Sequence, residues 1–527
     1  KTTTYSAGRR RRFNAGRLLR RFRMAVAFAM LALATTLFTT LSAELAIDLH
    51  WVAHIQIFPL ALAGSIAGIL AWLALTLVFG RIYCSTVCPM GILQDVFARV
   101  PRLGRRRRFR NGYRYEEPRN KFRYTWLTVV VGCSVAGIAL AATLFDPYSA
   151  FGRICSEILL PVWEWVCGAP VLVASWLAFG IAAATLVAVA AVAWRSGRLV
   201  CNTICPVGST LSLVSRYALL HFDIDTDVCV NCGQCGRVCK SKCINMADHV
   251  VDASRCVVCF DCVDTCHEGA IRYTYRRKRL SVPMMQPVTP ASTAMSRPSA
   301  PASPAPKAAG KPEKPQADSG VALLDRRQFL ATGLVIAAAP AIAAASRQRK
   351  RIEAIAAKRR PLEGLKPVVP PGRRSLGNFL QKCTGCGLCV AHCPAKVLRP
   401  SAGQLGIANM LHPVLDLDAS YCRYNCTRCT DVCPTGALTP LSTEEKHIFV
   451  IGKARVEPAN CIGCGLCVRR CPREAISMKA RKADQPGPSV LIASVDSDEC
   501  IGCGACQYIC PATPVKAIGV SGTDFRQ

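Results

Sequence analysis

The sequence predicts a membrane α-helical bundle joined to α+β, ferredoxin-like modules that each hold two 4Fe-4S clusters. Two observations lead to this fold class. Of the 32 cysteines, 24 fall into six groups with ferredoxin-like spacing. In addition, four apolar stretches are as long as a bilayer-spanning helix. A chain of 527 residues can hold several such domains.

The four apolar stretches predict four transmembrane helices. They cover residues 24–42, 57–79, 124–145 and 171–194. Arginines crowd the segment before the first stretch and the loop 102–123, whereas the two other connecting loops carry few basic residues. The positive-inside rule by itself then predicts that the N-terminus, the loop 80–123 and everything after Arg195 face the cytoplasm of a bacterial inner membrane.

Shifts in composition divide the chain into six parts. These are a basic cytoplasmic N-terminus (1–23), the four-helix membrane domain (24–215), a cytoplasmic double-cluster module (216–280), a Pro/Ala/Ser linker (281–324), an apolar segment (325–346) and a periplasmic polyferredoxin (347–527). The apolar segment, DRRQFLATGLVIAAAPAIAAAS, resembles a twin-arginine export signal or a fifth membrane anchor. A buried or interfacial alanine-rich helix is the alternative.

The cysteine groups predict six 4Fe-4S clusters, because each cubane needs four thiolates. In two-cluster ferredoxins the last cysteine of each run ligates the neighbouring cluster. Applying this rule, cluster 1 takes Cys229, Cys232, Cys235 and Cys266, and cluster 2 takes Cys256, Cys259, Cys262 and Cys239. Cluster 3 takes Cys383, Cys386, Cys389 and Cys433, and cluster 4 takes Cys422, Cys426, Cys429 and Cys393. Cluster 5 takes Cys461, Cys464, Cys467 and Cys510, and cluster 6 takes Cys500, Cys503, Cys506 and Cys471.

Two details refine this prediction. Proline follows the closing cysteine in the four C-terminal runs, but Lys240 and His267 occupy that position in the first module. The spacing of 39 residues between Cys383 and Cys422 recurs between Cys461 and Cys500, which indicates an internal repeat. Structural zinc also takes four thiolates, but six such runs in one chain favour iron–sulfur clusters.

Two further cysteine pairs occur in loops of the form GRxxCxxxCPxG. Cys84 and Cys88 follow the second predicted helix, and Cys201 and Cys205 follow the fourth, so all four thiols can meet at one membrane face. They could ligate an additional metal centre, exchange electrons as dithiols, or line a quinone or partner site. Alternatively, the Cys-Pro steps simply end two helices. The lone cysteines Cys133, Cys155, Cys167 and Cys243 are interpreted as packing residues.

Other chemistries find less support. His50 and His54 lie on one short stretch, which does not provide the two helices that a bis-histidine haem needs. His54, with Asp48 or Gln56, is the candidate acceptor of a quinol proton. No CxxCH, GxGxxG or Walker motif occurs. The net charge of +33 lies largely in short runs beside apolar segments, and no nucleic-acid partner is expected.

Residues 20–280, with their paired CxxxCP loops and double-cluster module, resemble the NapH family of membrane quinol dehydrogenase subunits. Residues 325–520, with CxxxCxxCxxxCP among four cluster motifs, resemble the NapG and MauM ferredoxins. The resemblance implies oxidation of quinol from the membrane pool and electron transfer to a periplasmic cytochrome c or reductase. NosR-like and CcoG-like proteins share the membrane module, so electron delivery for metal-centre assembly is an alternative. Outward transfer from a cytoplasmic ferredoxin is another.

Overall fold

The computed structural model describes residues 2–104, 112–168, 175–275, 362, 364–481, 490–513 and 515–524. The described residues of 1–276 and 359–527 belong to one compact unit. A second unit, 277–358, and with it the linker and the predicted export signal, lies outside the described residues.

The described residues before 216 form a helical domain. Its helices are α1 (Thr2–Thr39), α2 (Ala43–Asp48), α3 (Trp51–His54), α4 (Ile57–Ala63), α5 (Ile66–Phe79), α6 (Tyr83–Thr86), α7 (Pro89–Gly104), α8 (Asn120–Val135), α9 (Ala139–Phe145), α10 (Pro147–Ile154), α11 (Leu160–Val166), α12 (Trp176–Ser196), α13 (Leu199–Thr203) and α14 (Pro206–Ser215). A π-helix, Cys155–Leu159, joins α10 to α11.

Among the described residues, two helices are long and apolar enough to cross a membrane, Gly16–Thr39 within α1 and Trp176–Ser196. A third span exists if the bent pair Glu44–His54 and Ile57–Ala63 counts as one. The prediction that residues 57–79 and 124–145 each form one continuous helix is wrong. Gly64 and Gly137 interrupt these stretches with φ angles of 79° and 80°, a left-handed conformation that glycine adopts without steric cost.

The cysteine-rich parts consist of two-stranded antiparallel sheets and short helices. In residues 220–275, β1 (Leu220–Ile224) pairs with β4 (Ile271–Tyr275), and β2 (Ile244–Asn245) pairs with β3 (Val250–Val251). Helices α15 (Gln234–Val238) and α16 (Asp261–Thr265) carry the third cysteine of each run. These elements form a small α+β unit, and its role as a double-cluster module stays a prediction.

Residues 364–524 contain two further units of the same kind. The helices are α17 (Leu376–Lys382), α18 (Leu388–Ala391), α19 (Arg428–Asp431), α20 (Thr443–Ile448), α21 (Leu466–Arg470) and α22 (Ala505–Ile509). The strand pairs are β5 (Leu398–Pro400) with β6 (Pro413–Leu415), β7 (Gly452–Val456) with β10 (Ile518–Gly522), and β8 (Ile476–Ala480) with β9 (Leu491–Val495).

One hydrophobic core is shared by the helical domain and both cysteine-rich parts. It contains buried residues of α1, α6, α7 and α10 together with Val257 of the first module and Leu388 of the C-terminal part. Cys259 and Cys386 pack against its two ends as partly buried residues. The helical domain therefore provides a continuous apolar connection between the two sets of cysteines.

Candidate iron–sulfur site

The fold brings together each of the six predicted cysteine sets, including the fourth cysteine taken from the neighbouring run. In the first module, Cys235 lies close enough to Cys229, Cys232 and Cys266 for electrostatic interaction. Cys262 lies equally close to Cys239, Cys256 and Cys259. In the C-terminal part, Cys389 lies within electrostatic range of Cys383, Cys386 and Cys433. Cys429 lies within electrostatic range of Cys393, Cys422 and Cys426. Cys461, Cys464, Cys467 and Cys510 line one pocket, and Cys471, Cys500, Cys503 and Cys506 line another.

Burial determines the protonation state of these thiols. Within the described ranges, no group of three or more His, Cys, Asp or Glu side chains has the geometry of a single-ion site. Burial raises the thiol pKa of Cys235, Cys467 and Cys503 to about 11 in each case. These thiols are therefore protonated at neutral pH before metal binds, and cluster assembly must release their protons.

Contacts between the cysteine sets define an order of neighbours. In the C-terminal part, Cys389 of set 3 faces Cys429 of set 4, and the backbone amide of Cys422 donates to the carbonyl of Cys503, 2.9 Å away. Cys506 of set 6 faces Cys467 of set 5. The order is therefore 3, 4, 6 and 5. Of the 24 predicted ligands, only Cys232 of set 1 and Cys464 of set 5 are exposed.

The two cysteine-rich parts contact helix α1 at two different levels, its middle and its C-terminal end. Near the middle of α1, the Arg20 guanidinium pairs at 2.9 Å with the carboxylate of Asp261, the residue before Cys262. Near its C-terminal end, the Leu37 carbonyl lies 2.7 Å from His392 Nε2, beside Cys393. Seventeen residues of α-helix separate these contacts, a rise of about 25 Å.

A buried ion network fixes the first module to the helical domain. Asp95 of α7 pairs with Arg198 at 2.8 Å, with Arg23 at 3.3 Å and with Lys240 at 3.4 Å. Lys240 also pairs with Asp261, 2.9 Å away. These cations hold the pKa of the Asp95 carboxyl far below its usual range despite its burial, which acts in the opposite direction. Lys240, which stands where proline was expected, therefore serves as an anchor.

The two GRxxCxxxCPxG loops interlock reciprocally. Arg81 of the first loop donates to the carbonyl of Cys201 at 3.1 Å, and Arg198 of the second donates to the carbonyl of Cys84 at 2.5 Å. The thiols of Cys84, Cys201 and Cys205 all lie within electrostatic range of Cys88. All four cysteines are buried. The predicted convergence of these thiols thus agrees with the structure.

Gly91 and Gly208 occupy equivalent positions in this interlocked pair. A Cβ atom on Gly91 would lie 2.4 Å from the carbonyl oxygen of Cys84, and one on Gly208 would lie 2.3 Å from that of Cys201. Neither contact is sterically possible, so the final glycine of each motif permits the close approach of the helix that follows.

A cluster of polar side chains is buried where the helical domain meets the loop of cluster set 3. Arg153 of α10 donates to the carbonyl of Gly385 at 3.4 Å. Asp146 Oδ1 and the Tyr148 hydroxyl are buried without a hydrogen-bond partner among the described residues. Tyr148 also lies within electrostatic range of Cys386. We call Asp146, Tyr148, Arg153 and Glu157 the buried polar cluster.

The two carboxyl groups of the buried polar cluster have unusual proton affinities. Burial raises the pKa of Asp146 to about 6, although hydrogen bonds from Ser149 oppose the shift. Burial likewise raises the pKa of Glu157 to about 7, against the effect of Arg153. Both carboxyls can therefore gain or lose a proton near neutral pH, as proton acceptors in redox sites must.

A cleft of about 560 Å³ opens beside the C-terminal end of α1. It is lined by threonines of α1, by Leu41 and Leu45, and by Leu159, Val162, Trp163 and Val166. The π-helix places Glu157 two residues before Leu159. Such a wide turn changes the direction of side chains and is frequent at functional sites.

His54, the predicted proton acceptor, is exposed and packs edge-on against His50, with ring centroids 4.3 Å apart. His50 reaches the backbone of Val432, beside Cys433. The predicted partner of His54, Gln56, instead accepts a hydrogen bond from the Tyr83 hydroxyl at 2.8 Å. The catalytic role of His54 stays a prediction.

The sequence-based reasoning overlooked several residues of these sites. The signal for Arg153 and Glu157 was present, because DPYSAFGRICSE carries three charged residues in an apolar region. Cys243, interpreted as a packing residue, has its Sγ 3.4 Å from that of Cys239 and also contacts Cys256. It therefore lies against two predicted ligands of cluster 2.

Comparison with known proteins supports the iron–sulfur interpretation. Residues 382–437 and 460–513 match a model described as a 4Fe-4S dicluster domain, and residues 421–476 match a second model of that description. Residues 61–110 and 169–225, which contain the two CxxxCP loops, match a model described as a 4Fe-4S binding domain. No solved structure matches the chain.

Several curated relatives resemble part of the chain. The methylamine utilization ferredoxin-type protein MauM of Methylobacillus flagellatus is 34% identical over 128 residues, 23% of this chain and 54% of MauM. The ferredoxin-type protein NapG of Escherichia coli K12 is 31% identical over 133 residues, 22% of this chain and 54% of NapG. The uncharacterized protein MJ0750 of Methanocaldococcus jannaschii is 25% identical over 228 residues, 42% of this chain and 84% of that protein. The chain thus spans about half the length of MauM and NapG and is related to ferredoxin-type electron-transfer proteins.

Proposed function

We propose that this iron–sulfur protein oxidises quinol at the membrane and passes the electrons through its C-terminal clusters to a periplasmic acceptor, such as a cytochrome c or a terminal reductase. The observation that carries the proposal is the buried polar cluster. It contains two carboxyls of raised pKa, and its Arg153 donates to the Gly385 carbonyl in the loop of cluster 3. Leu159, in the same π-helix as Glu157, lines the apolar cleft. Quinol oxidation requires this combination of proton acceptors and an electron acceptor.

The proposal assigns the six cysteine sets as ligands of six 4Fe-4S clusters. The four thiols of each set meet in one place, and three of the four C-terminal sets line small enclosed pockets. When bound, each cluster accepts and donates one electron at a time. Clusters held by the C-terminal sets would be neighbours in the order 3, 4, 6 and 5, and they would supply one-electron transfer along that order. The exposed Cys464 marks the exit.

The cleft provides a suitable environment for the quinol. Its apolar walls fit an isoprenoid tail, and its threonine hydroxyls lie on the last turns of α1, next to the contact between Leu37 and His392. Oxidation of one quinol releases two electrons and two protons. Glu157 takes the first proton and Asp146 the second, while Arg153 between them stabilises the ionised carboxyls. His54 is a further candidate acceptor.

The proposal places the first module in the cytoplasm and the C-terminal part in the periplasm. Two observations support this topology. The contacts of α1 with the two parts are about 25 Å apart, close to the thickness of about 30 Å of a hydrocarbon core. The N-terminal segment and the loop 102–123 are rich in arginine. In this arrangement the chain corresponds to a NapH-type membrane subunit fused to a NapG-type ferredoxin.

Outward electron transfer from a cytoplasmic ferredoxin is a second candidate function. The exposed Cys232 of cluster 1 supports it, because an exposed cluster at the end of the first module can exchange electrons with a soluble carrier. The continuous core from Cys259 to Cys386 supports it as well. In this function the quinol site would be unused.

One experiment separates the two functions. The purified, reconstituted protein is mixed anaerobically with a reduced short-chain quinol or with reduced ferredoxin, and the visible absorbance of the clusters is followed. Quinol oxidation predicts bleaching by the quinol analogue. No bleaching by quinol, in protein that dithionite reduces fully, would refute the proposal. Bleaching by ferredoxin alone would establish the second function.

A further inference from the structure

We propose that Lys446 sets the direction of electron transfer in the C-terminal part, by raising the midpoint potential of cluster 4 above that of cluster 3. The inference rests on the cluster ligation given under the proposed function. The step concerned is the transfer of one electron from reduced cluster 3 to oxidised cluster 4, and quinol oxidation supplies that electron. Lys446 belongs to α20, which lies outside all six cysteine runs.

The Lys446 side chain is a buried cation without a counter-charge in the protein. It is 0% exposed, and its Nζ hydrogen-bonds to no nitrogen or oxygen atom of the described residues. None of the ion pairs in the described part of the chain includes Lys446, whereas Arg399, for example, pairs with Asp416 at 2.8 Å. Burying a cation without an anion beside it is costly.

Cluster 4 is the anion that fits this cation. Burial raises the pKa of the Cys422 thiol, and the Lys446 ammonium opposes this shift through its charge and its contact with the sulfur. Burial also raises the pKa of Cys429 in the same set, again against the charge of Lys446. An oxidised cubane with four thiolates carries a charge of about −2 and gains one more negative charge on reduction. A fixed cation beside it therefore stabilises the reduced form more than the oxidised form.

The longer CxxxC step of cluster 4 helps to hold Lys446 in place. This step contains Tyr424 and Asn425. The Tyr424 ring stacks on the ring of His447, with centroids 3.9 Å apart and planes within 4°. The Asn425 Oδ1 atom lies 2.8 Å from His447 Nε2. A capping box fixes the first turn of the same helix, so α20 is attached to the ligand loop directly beside Lys446.

The charges beside the neighbouring clusters differ from the charge beside cluster 4. On Cys386 of cluster 3, the negative charge of Asp146 adds to burial in raising the thiol pKa. Burial also raises the pKa of Cys259 of cluster 2, where Lys240 opposes the shift but is matched by Asp261, its ion-pair partner at 2.9 Å. Cluster 3 thus has an anionic neighbour and cluster 4 an uncompensated cationic one. These charges favour reduction of cluster 4 over that of cluster 3.

The test is a redox titration of the full-length, anaerobically reconstituted protein with dithionite, followed by EPR. Lys446→Met replaces the ammonium group with an uncharged chain of similar length. We expect the midpoint potential of cluster 4 to fall by about a tenfold change in its reduction equilibrium, about 59 mV for one electron, with the other midpoints unchanged. Lys446→Arg keeps the charge and should retain most of the wild-type value. Lys479→Met removes an exposed lysine of β8, whose charge solvent screens, and should shift no midpoint.

Two marker variants assign the signals. Cys422→Ser gives cluster 4 an oxygen ligand and Cys383→Ser does the same for cluster 3, so each changes the signal of one cluster. The proposal is overturned if Lys446→Met, with full iron content, leaves the marked cluster 4 midpoint in place, raises it, or moves that of another cluster instead. An equal shift in Lys446→Arg or Lys479→Met also overturns it, because the buried charge would then not be the cause.

The wild type provides a second measurement, which does not depend on the folding of Lys446→Met. The marked cluster 4 must be reduced at a higher potential than the marked cluster 3, and the reverse order overturns the proposal. The titration uses no quinol. A shifted midpoint in protein that quinol does not reduce would therefore leave this inference standing while quinol oxidation fails, and an unshifted midpoint in protein that quinol reduces would do the opposite.

Discussion

Removing the carboxylate of Glu157 should slow quinol oxidation and remove the inflection of its rate near pH 7. Glu157 must be ionised to accept a proton, and its pKa is raised to about 7 by burial. A raised pKa means that the acceptor form is lost as the pH falls through 7. About nine tenths of the carboxyl is ionised at pH 8 and about one tenth at pH 6, so the rate should fall about tenfold between these values.

The assay is single-turnover reduction of the clusters by a quinol analogue, measured in a stopped-flow instrument between pH 5 and 9. In Glu157→Gln we expect a rate about 100-fold lower at pH 8, because a positioned proton acceptor contributes 10²–10⁴-fold. Glu44→Gln, which changes an exposed carboxyl on α2, should leave the profile unchanged. The reasoning fails if Glu157→Gln keeps the wild-type inflection near pH 7 while dithionite still reduces all clusters.

Three further changes test other parts of the structure. Asp95→Asn should lower the free energy of local opening of the first module by about 3–5 kcal/mol, since it leaves buried cations unpaired; hydrogen exchange of α16 measures this, and the exposed Asp248→Asn should have no effect. Gly208→Ala should lower the free energy of unfolding of the helical domain by about 1–3 kcal/mol, because its Cβ would meet the Cys201 carbonyl; equal thermal stability of Gly208→Ala and Gly132→Ala, whose added Cβ meets nothing, would contradict this. Cys243→Ala should lower the midpoint potential of cluster 2 by removing a sulfur hydrogen bond; a redox titration followed by EPR that shows no shift would contradict it.

The cluster sites could be predicted from the sequence because their ligands are local. Three of the four cysteines in each set lie within one short loop, and the fourth follows from the exchange rule of two-cluster ferredoxins. The convergence of Cys84 with Cys201 was also predictable, since both follow predicted membrane helices in identical motifs. In the cluster motifs, spacing along the chain predicts which thiols meet, whereas the meeting of Cys84 with Cys201 also required the expectation that two membrane helices end at the same membrane face.

The remaining features depend on contacts between distant segments. Lys240 appears in the sequence only as a departure from the ferredoxin signature, and its role as an anchor depends on Asp95, 145 residues earlier. The breaks at Gly64 and Gly137 were missed because hydropathy measures polarity and not backbone conformation. The proton acceptor was predicted at His54 because an unperturbed histidine titrates near neutral pH. Burial raises the pKa of Glu157 into the same range.

The exposure of Cys232 and Cys464 also determines where oxygen can attack this molecule. Iron bound at these two positions would be the part of the proposed path that a partner can approach, and dissolved oxidants would approach it equally well. The interior thiols, such as Cys88 and Cys429, are shielded by the protein. Brief contact with air should therefore destroy the terminal clusters first, leaving a protein whose interior still changes colour on reduction but which can no longer exchange electrons with its surroundings.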